Sequence, residues 1–270
     1  MTDLSAHAAR LAPHLTVVKP MRGGRLPVVI QMHGCGGLTP NQQRRYAEAA
    51  VGAGVAAVIV DSMTPRGIAR REARMTVCTG LRLRGAERAA DLLAMLAWLE
   101  GQPWADTACV AAAGWSHGAW AIMEALAEGR PERAPAPLPI AAAILVYPYC
   151  GPPSRTLFRG WGQNRPAVHA IVGGRDAVVG RHLPERALRR LEADGVSVRR
   201  LFLPEATHAF DEDDYKDPRT QYRPDLEAEA SAFYVEALAA MAGRSQPGAD
   251  GALAARHPPA RHPGVASGSF

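Results

Sequence analysis

Runs of β-branched and aliphatic residues alternate with amphipathic helical segments over most of this 270-residue chain. This alternation is the pattern of strands joined by crossover helices. It predicts an α/β fold with a mostly parallel, doubly wound sheet and helices on both faces. We predict strands at residues 26–32, 55–61, 108–114, 140–147, 166–173 and 197–203. We predict helices at residues 39–52, 86–100, 117–128, 183–194 and 225–242.

The composition of the chain changes after Met241. Residues 243–270 contain nine Gly or Pro among 28 residues and too few large apolar side chains to form a core. We therefore predict a disordered tail at 243–270 and a single domain over residues 1–242. The first residues lack the basic and apolar regions of a secretory signal, and no apolar run is long enough to span a membrane. We expect a cytoplasmic protein with no membrane partner.

The charge balance is a poor argument for a nucleic-acid partner. The net charge of +5 comes from 31 basic and 26 acidic residues. Residues 62–88 carry seven Arg against two Glu, whereas residues 205–236 carry three basic against ten acidic residues. Because the effect of net charge depends on where the charges lie, we expect no nucleic-acid binding. We expect a monomer or a homodimer that acts on a small molecule.

The four cysteines have no regular spacing, which predicts neither a disulfide framework nor a metal site. Cys78 and Cys150 lie in or beside two long connections, residues 62–82 and 148–165. Both connections follow strands at their carboxyl ends. Cys78 and Cys150 are both expected at this edge of the sheet, which leaves a disulfide between them open, but the expected cytoplasmic setting disfavours one.

One short motif predicts a catalytic nucleophile. The sequence GWSHG at 114–118 matches the G-x-S-x-G nucleophile elbow, in which glycines permit a tight strand-to-helix turn. A strand-like run, CVAAAGW, precedes the motif, and a helical pattern, AWAIMEALAE, follows it. This context predicts that the hydroxyl of Ser116 is exposed above the sheet as a nucleophile. The alternative is a tight turn without chemistry.

A nucleophilic serine needs a histidine base, which follows it along the chain in proteins with this elbow. His208 lies on a loop at the carboxyl end of strand 197–203, which is the required edge of the sheet. His182 is the alternative. His169 lies within an apolar strand and is predicted to be a core residue.

The acid and the oxyanion hole have candidates at the same edge. Asp176 follows strand 166–173, and one helix and one strand separate it from the histidine. The alternative for Asp176 is an ordinary turn or helix-cap aspartate. A glycine-rich turn, HGCGG at 33–37, follows strand 26–32, where one backbone donor of an oxyanion hole is expected.

Together and in this order, MHGCGG, GWSHGAW, VGGRD and ATHAF resemble the motifs of the dienelactone hydrolase family of α/β-hydrolases, over about residues 12–242. The resemblance implies an α/β-hydrolase fold with no cap domain, no metal and no cofactor. It implies Ser116 as nucleophile, Asp176 as acid and His208 as base. It also implies that the backbone N–H groups of Cys35 and His117 form the oxyanion hole.

The sequence departs from the family pattern at three points. Ser116 stands where dienelactone hydrolases proper use cysteine, and Gly34 stands where they carry a glutamate. His208 is not followed by the arginine that binds the substrate carboxylate in the family. We therefore expect a serine hydrolase for a small, soluble carboxylic ester or lactone. The alternatives are dienelactone itself, cleavage of a peptide or C–C bond by the same triad, and a non-catalytic binding protein.

Two residues at the predicted catalytic edge are candidates for substrate contacts. Arg66 lies nearest to the strand end in the arginine-rich segment 62–82 and is a candidate to hold an anionic group. The alternative is a solvated basic loop. Tyr147 ends strand 140–147 and is a candidate to line the pocket or to pack in the core.

Overall fold

Seven strands form one sheet in the computed structural model, which describes residues 3–128, 138–214 and 217–244. The strands lie in the order β1-β3-β2-β4-β5-β6-β7. Strand β1 is antiparallel to β3 at one edge, and all other neighbours are parallel. The strands are β1 (Leu15–Val18), β2 (Leu26–Met32), β3 (Ala56–Val60), β4 (Ala105–Trp115), β5 (Ala142–Val146), β6 (Ala167–Gly173) and β7 (Val198–Leu203). The predicted α/β class with a mostly parallel sheet is confirmed.

Seven α-helices accompany the sheet within the described ranges. They are α1 (Leu4–Leu11), α2 (Pro40–Gly52), α3 (Arg70–Thr76), α4 (Gly85–Glu100), α5 (His117–Leu126), α6 (His182–Ala193) and α7 (Pro224–Arg244). Every helix and strand predicted from the sequence is present, with ends within about three residues of the prediction. Helix α1, strand β1 and helix α3 were not predicted.

The helices cover both faces of the sheet. One core contains side chains from α1, α4, α5 and α6, and the core on the opposite face contains side chains from α2 and α7. All residues of β2, β3 and β5 are buried. Strands covered on both faces bury almost every side chain, which explains their continuous apolar sequences.

The parallel strands place their following loops at one edge of the sheet. The loops that follow β2, β4, β6 and β7 carry the residues predicted from the sequence to act together. In open α/β sheets the carboxyl ends of the strands are where ligands bind. The fold therefore brings distant parts of the sequence to one edge.

The last described helix reaches beyond residue 242, the end of the domain predicted from the sequence. Helix α7 continues to Arg244, so residues 243 and 244 are helical and do not belong to the predicted tail. The rest of that tail, residues 245–270, lies outside the described residues. No helix among those described combines the length and the apolar character needed to cross a bilayer.

A disulfide joins Cys35 to Cys78, so Cys78 has a partner other than Cys150, with which a disulfide was considered from the sequence but disfavoured. Helix α3 and its flanking turns bury a small apolar cluster against Cys35. This packing brings Cys78 to the loop that follows β2. Cys150 is instead a free, buried thiol, and its Sγ lies 3.8 Å from Met123 Sδ in the main core.

Candidate active site

Ser116 lies at the sharp turn between β4 and α5. Its φ of +51° and ψ of −108° are unusual for a residue with a side chain, and such strain is concentrated at functional sites. A β-carbon on Gly114 would lie 2.7 Å from the carbonyl oxygen of Gly118, and one on Gly118 would lie 2.7 Å from that of His33. These distances are shorter than van der Waals contact. The two glycines of the motif are therefore required by close packing.

Ser116, His208 and Asp176 form one hydrogen-bonded chain. His208 Nε2 lies 3.0 Å from Ser116 Oγ, and His208 Nδ1 lies 2.7 Å from Asp176 Oδ2. The other carboxylate oxygen of Asp176 accepts hydrogen bonds from the backbone N–H groups of Val178 and Val179, at 2.9 and 3.0 Å. The side chains of Ser116, His208 and Asp176 are all buried. This arrangement lets the serine hydroxyl donate to a histidine whose other nitrogen is held by a carboxylate.

Asp211 supports His208 from within the core. This fully buried carboxylate accepts hydrogen bonds from four side chains on α2, β4 and the loop after β5. The donors are Tyr147 Oη (2.7 Å), Gln42 Nε2 (2.8 Å), Tyr46 Oη (3.0 Å) and Trp115 Nε1 (3.1 Å). The Tyr147 ring in turn packs against the His208 ring, with centroids 4.7 Å apart. No sequence pattern indicates this role, because Asp211 belongs to an acidic run typical of surfaces.

His33 orients the peptide bond between Gly34 and Cys35. Its Nε2 accepts a hydrogen bond from the backbone N–H of Ser62 at 3.1 Å, so its proton lies on Nδ1. Nδ1 donates to the carbonyl oxygen of Gly34 at 2.7 Å. Burial and the charge of Arg88 lower the pKa of His33 to about 3. The ring is therefore neutral at physiological pH, and it fixes the peptide that carries the N–H of Cys35.

Arg88 links the two loops that flank Ser116. Its guanidinium is fully buried and donates to the carbonyl oxygen of His33 at 2.9 Å and to His117 Nδ1 at 3.1 Å. Burial lowers the pKa of Arg88 to about 10, so the group is still charged at neutral pH. Burial and this charge hold the pKa of His117 well below its usual range. A positive charge thus lies behind the loop of Cys35 and the first turn of α5.

A cleft of about 780 Å³ opens at this edge of the sheet. Ser116, His208, Cys35 and His117 all line it. Four arginines among the described residues also line the cleft: Arg70, Arg74, Arg84 and Arg219. The predicted nucleophile, base and oxyanion-hole residues therefore share one cavity, which is large enough for a small organic molecule.

Arg66 and Tyr147 are not among the described residues that line the cleft. Arg66 forms a salt bridge with the buried carboxylate of Asp91, with nitrogen–oxygen distances of 2.6 and 3.1 Å. Tyr147 is buried and donates to Asp211. Tyr149, two residues further along, lines the cleft instead.

His169 and His182, the other histidines considered from the sequence, are not among the described residues that line the cleft. His169 is buried in β6 and packs against Phe233, which confirms the prediction of a core residue. His182 begins α6 and is exposed. Among the described residues, no group of three or more His, Cys, Asp or Glu side chains is arranged to hold a metal ion.

Comparison with known families shows one match over most of the chain. The model of the dienelactone hydrolase family matches residues 15–241. Comparison with the sequences of curated proteins finds no significant match.

Solved structures show the same fold at low sequence identity. A putative dienelactone hydrolase from Klebsiella pneumoniae has a TM-score of 0.64 at 17% identity, over 83% of this chain and 92% of that chain. A dienelactone hydrolase-like promiscuous phosphotriesterase from metagenomic libraries has a TM-score of 0.66 at 18% identity, over 84% of this chain and 98% of that chain. A thermophilic esterase from Thermogutta terrifontis has a TM-score of 0.60 at 14% identity, over 87% of this chain and 89% of that chain. These similarities show an α/β-hydrolase fold, and no cap domain is present within the described residues.

Proposed function

The chain belongs to the dienelactone hydrolase family, and we propose that it hydrolyses small carboxylic esters or lactones with Ser116 as nucleophile. Members of this family are hydrolases that act on ester bonds, and as a member this chain is a hydrolase of the same class. The observation that carries this proposal is the hydrogen-bonded chain from Ser116 Oγ through His208 to Asp176, of which Ser116 and His208 line the cleft.

The proposed reaction begins with attack of Ser116 Oγ on the substrate carbonyl carbon. His208 Nε2 takes the hydroxyl proton as the new C–O bond forms, and Asp176 stabilises the resulting imidazolium. The tetrahedral intermediate collapses as the proton moves from His208 to the leaving alkoxide, which gives an acyl-serine. A water molecule then transfers a proton to His208 and attacks the acyl carbon. The bond from this carbon to Ser116 Oγ breaks as His208 returns the proton to Oγ, which releases the acid and restores Ser116.

The backbone N–H groups of Cys35 and His117 are proposed to hold the oxyanion. His117 is the first residue of α5, where backbone N–H groups have no partner within the helix. The carbonyl of the Gly34–Cys35 peptide accepts from His33, which supports a fixed N–H on its other side. Fixed donors of this kind stabilise charge that develops in the transition state.

The proposal does not require an anionic substrate. Two of the four cleft arginines already have acidic partners: Arg70 forms a bidentate pair with Asp214, and Arg219 pairs with Asp217. Their charge is partly compensated before any ligand binds. We therefore propose an uncharged ester or lactone as the substrate.

A fluorophosphonate probe tests the nucleophile directly, because it reacts with activated serines. We expect the wild-type protein to be labelled and Ser116→Ala to be unlabelled. The variant should also lose about 10⁴-fold or more in kcat for p-nitrophenyl butyrate. Ser197→Ala, at an exposed serine, is the matched control and should label like the wild type. An unlabelled wild type, or equal labelling of Ser116→Ala, would show that the assignment is wrong.

A further inference from the structure

Glu212 places a carboxyl group in the cleft beside the proposed oxyanion hole. Its side chain lines the cavity that holds Ser116. Its Oε1 lies over Gly34, 3.9 Å from the position that a β-carbon on that residue would take. Its Oε2 accepts a hydrogen bond from Thr39 Oγ1 at 3.3 Å. Since Gly34 directly precedes Cys35, this carboxyl group lies next to the expected position of a bound ester carbonyl.

The surroundings of Glu212 favour its neutral form. Burial raises the pKa of Glu212 to about 8, and the negative charges of Asp211 and Asp214 act in the same direction. The hydrogen bond from Thr39 and the positive charge of Arg70 oppose this rise only in part. At neutral pH the carboxyl group is therefore mostly protonated, and it has a proton to donate into the cleft.

We propose that Glu212, in its protonated form, is a catalytic residue that donates a hydrogen bond to an oxygen of the bound ester close to the scissile carbonyl. This inference rests on the proposed ester hydrolysis at Ser116. When Glu212 loses its proton, the donor is lost. A negative charge then lies near the developing oxyanion, which raises the energy of the transition state. Ester hydrolysis therefore falls at alkaline pH as this one group ionises.

The dependence of kcat/KM on pH separates this role from a structural one. We measure p-nitrophenyl butyrate hydrolysis from pH 6 to 10, with the uncatalysed rate subtracted. For the wild type we expect a decrease of at least about tenfold on the alkaline side, with an apparent pKa of about 8. Glu212→Gln keeps an N–H donor that does not ionise, so its rate should show no decrease on the alkaline side. Glu212→Leu should lose about tenfold at neutral pH, since it has no donor.

Two variants at the rim of the cleft move the same ionisation in opposite directions. Arg70 and Asp214 form a salt bridge at 2.8 Å on partly exposed side chains, so neither substitution is expected to prevent folding. Arg70→Gln removes a positive charge and should move the alkaline decrease to higher pH. Asp214→Asn removes a negative charge and should move it to lower pH. A purely structural role of Glu212 predicts neither movement.

The possible results distinguish the proposed role of Glu212 from the ester hydrolysis at Ser116 on which it rests. If Glu212→Gln keeps the wild-type pH profile while Ser116 still labels, Glu212 is not the group that ionises; the inference is then wrong and the proposed function stands. If Glu212→Gln is as slow as Glu212→Leu at neutral pH while both remain folded, hydrogen-bond donation is not what Glu212 contributes, and the inference is also wrong. If the wild type neither hydrolyses esters nor labels, both proposals are overturned.

Discussion

The disulfide between Cys35 and Cys78 connects the proposed oxyanion loop to the wall of the cleft, and its removal has a calculable effect. Cys35 and Cys78 both line the cleft, and Cys78 lies on the exposed side of the segment that contains α3. A soluble dithiol can therefore reach the bond. The perturbation is either Cys78→Ser or reduction of the wild-type protein.

The expected loss of stability follows from the length of chain that the bond closes. The two cysteines are 43 residues apart, and a loop of that length restricts the unfolded chain by about 4 kcal/mol. For a domain of this size, that corresponds to a decrease in melting temperature of about 8–16 °C. The segment that contains α3 and Cys78 packs around a small apolar cluster that is separate from the main core. The loop of Cys35 should therefore become less fixed, and we expect kcat for ester hydrolysis to fall with stability.

Thermal unfolding and a thiol titration measure these effects together. In denaturant, the wild type should show two thiols that react with a thiol reagent, those of Cys109 and Cys150, and the reduced protein should show four. Reductant should destabilise the wild type but leave Cys78→Ser unchanged, which makes that variant its own control. If four thiols are titrated and the melting temperature is unchanged, the loop-closure reasoning is refuted.

Two further predictions concern buried titratable groups. Asp211→Asn leaves one acceptor oxygen for four donors. It should lower the free energy of unfolding by about 2–4 kcal/mol and also lower kcat; urea denaturation and kinetics that match the wild type would contradict this. Burial lowers the pKa of His169 to about 4, below its unfolded value of about 6.5. The unfolded chain therefore binds a proton that the folded chain does not, and stability falls as pH drops from about 6.5 to 4, by up to about 3 kcal/mol. His169→Phe, measured by denaturation across this pH range, should lose that part of the slope; an identical slope would exclude the role of His169.

The parts of the fold that the sequence predicts are those with a strong local pattern. Strands β2, β3 and β5 are buried along their whole length, so their apolar runs are unbroken. Strand β1 has four residues at the sheet edge and none of them is fully buried, so its pattern is weak. Helix α3 has seven residues and buries only Ala73. Its stability comes from tertiary packing that no local pattern reports.

The residues of the candidate site likewise divide into those that a local pattern predicts and those that depend on tertiary packing. Ser116, Asp176 and His208 were predicted because each follows a strand that the sequence identifies, and the carboxyl ends of parallel strands share one edge. The roles of Asp211 and Glu212 were not predicted. Asp211 is buried beneath side chains from α2 and β4, and Glu212 lines the cleft, whereas four consecutive acidic residues ordinarily indicate a solvated surface.

The position of Arg66 shows why topology alone does not select a substrate contact. Arg66 is the arginine nearest to the end of β3, but Asp91 of α4 is fully buried beside it. A buried carboxylate without partners costs several kcal/mol, so Asp91 needs positive or hydrogen-bonding neighbours. Burial raises its pKa, yet hydrogen bonds from His7 and Arg66 lower the pKa of Asp91 to about 2. Because the guanidinium of Arg66 binds this carboxylate, the arginines of segment 62–82 that line the cleft are Arg70 and Arg74.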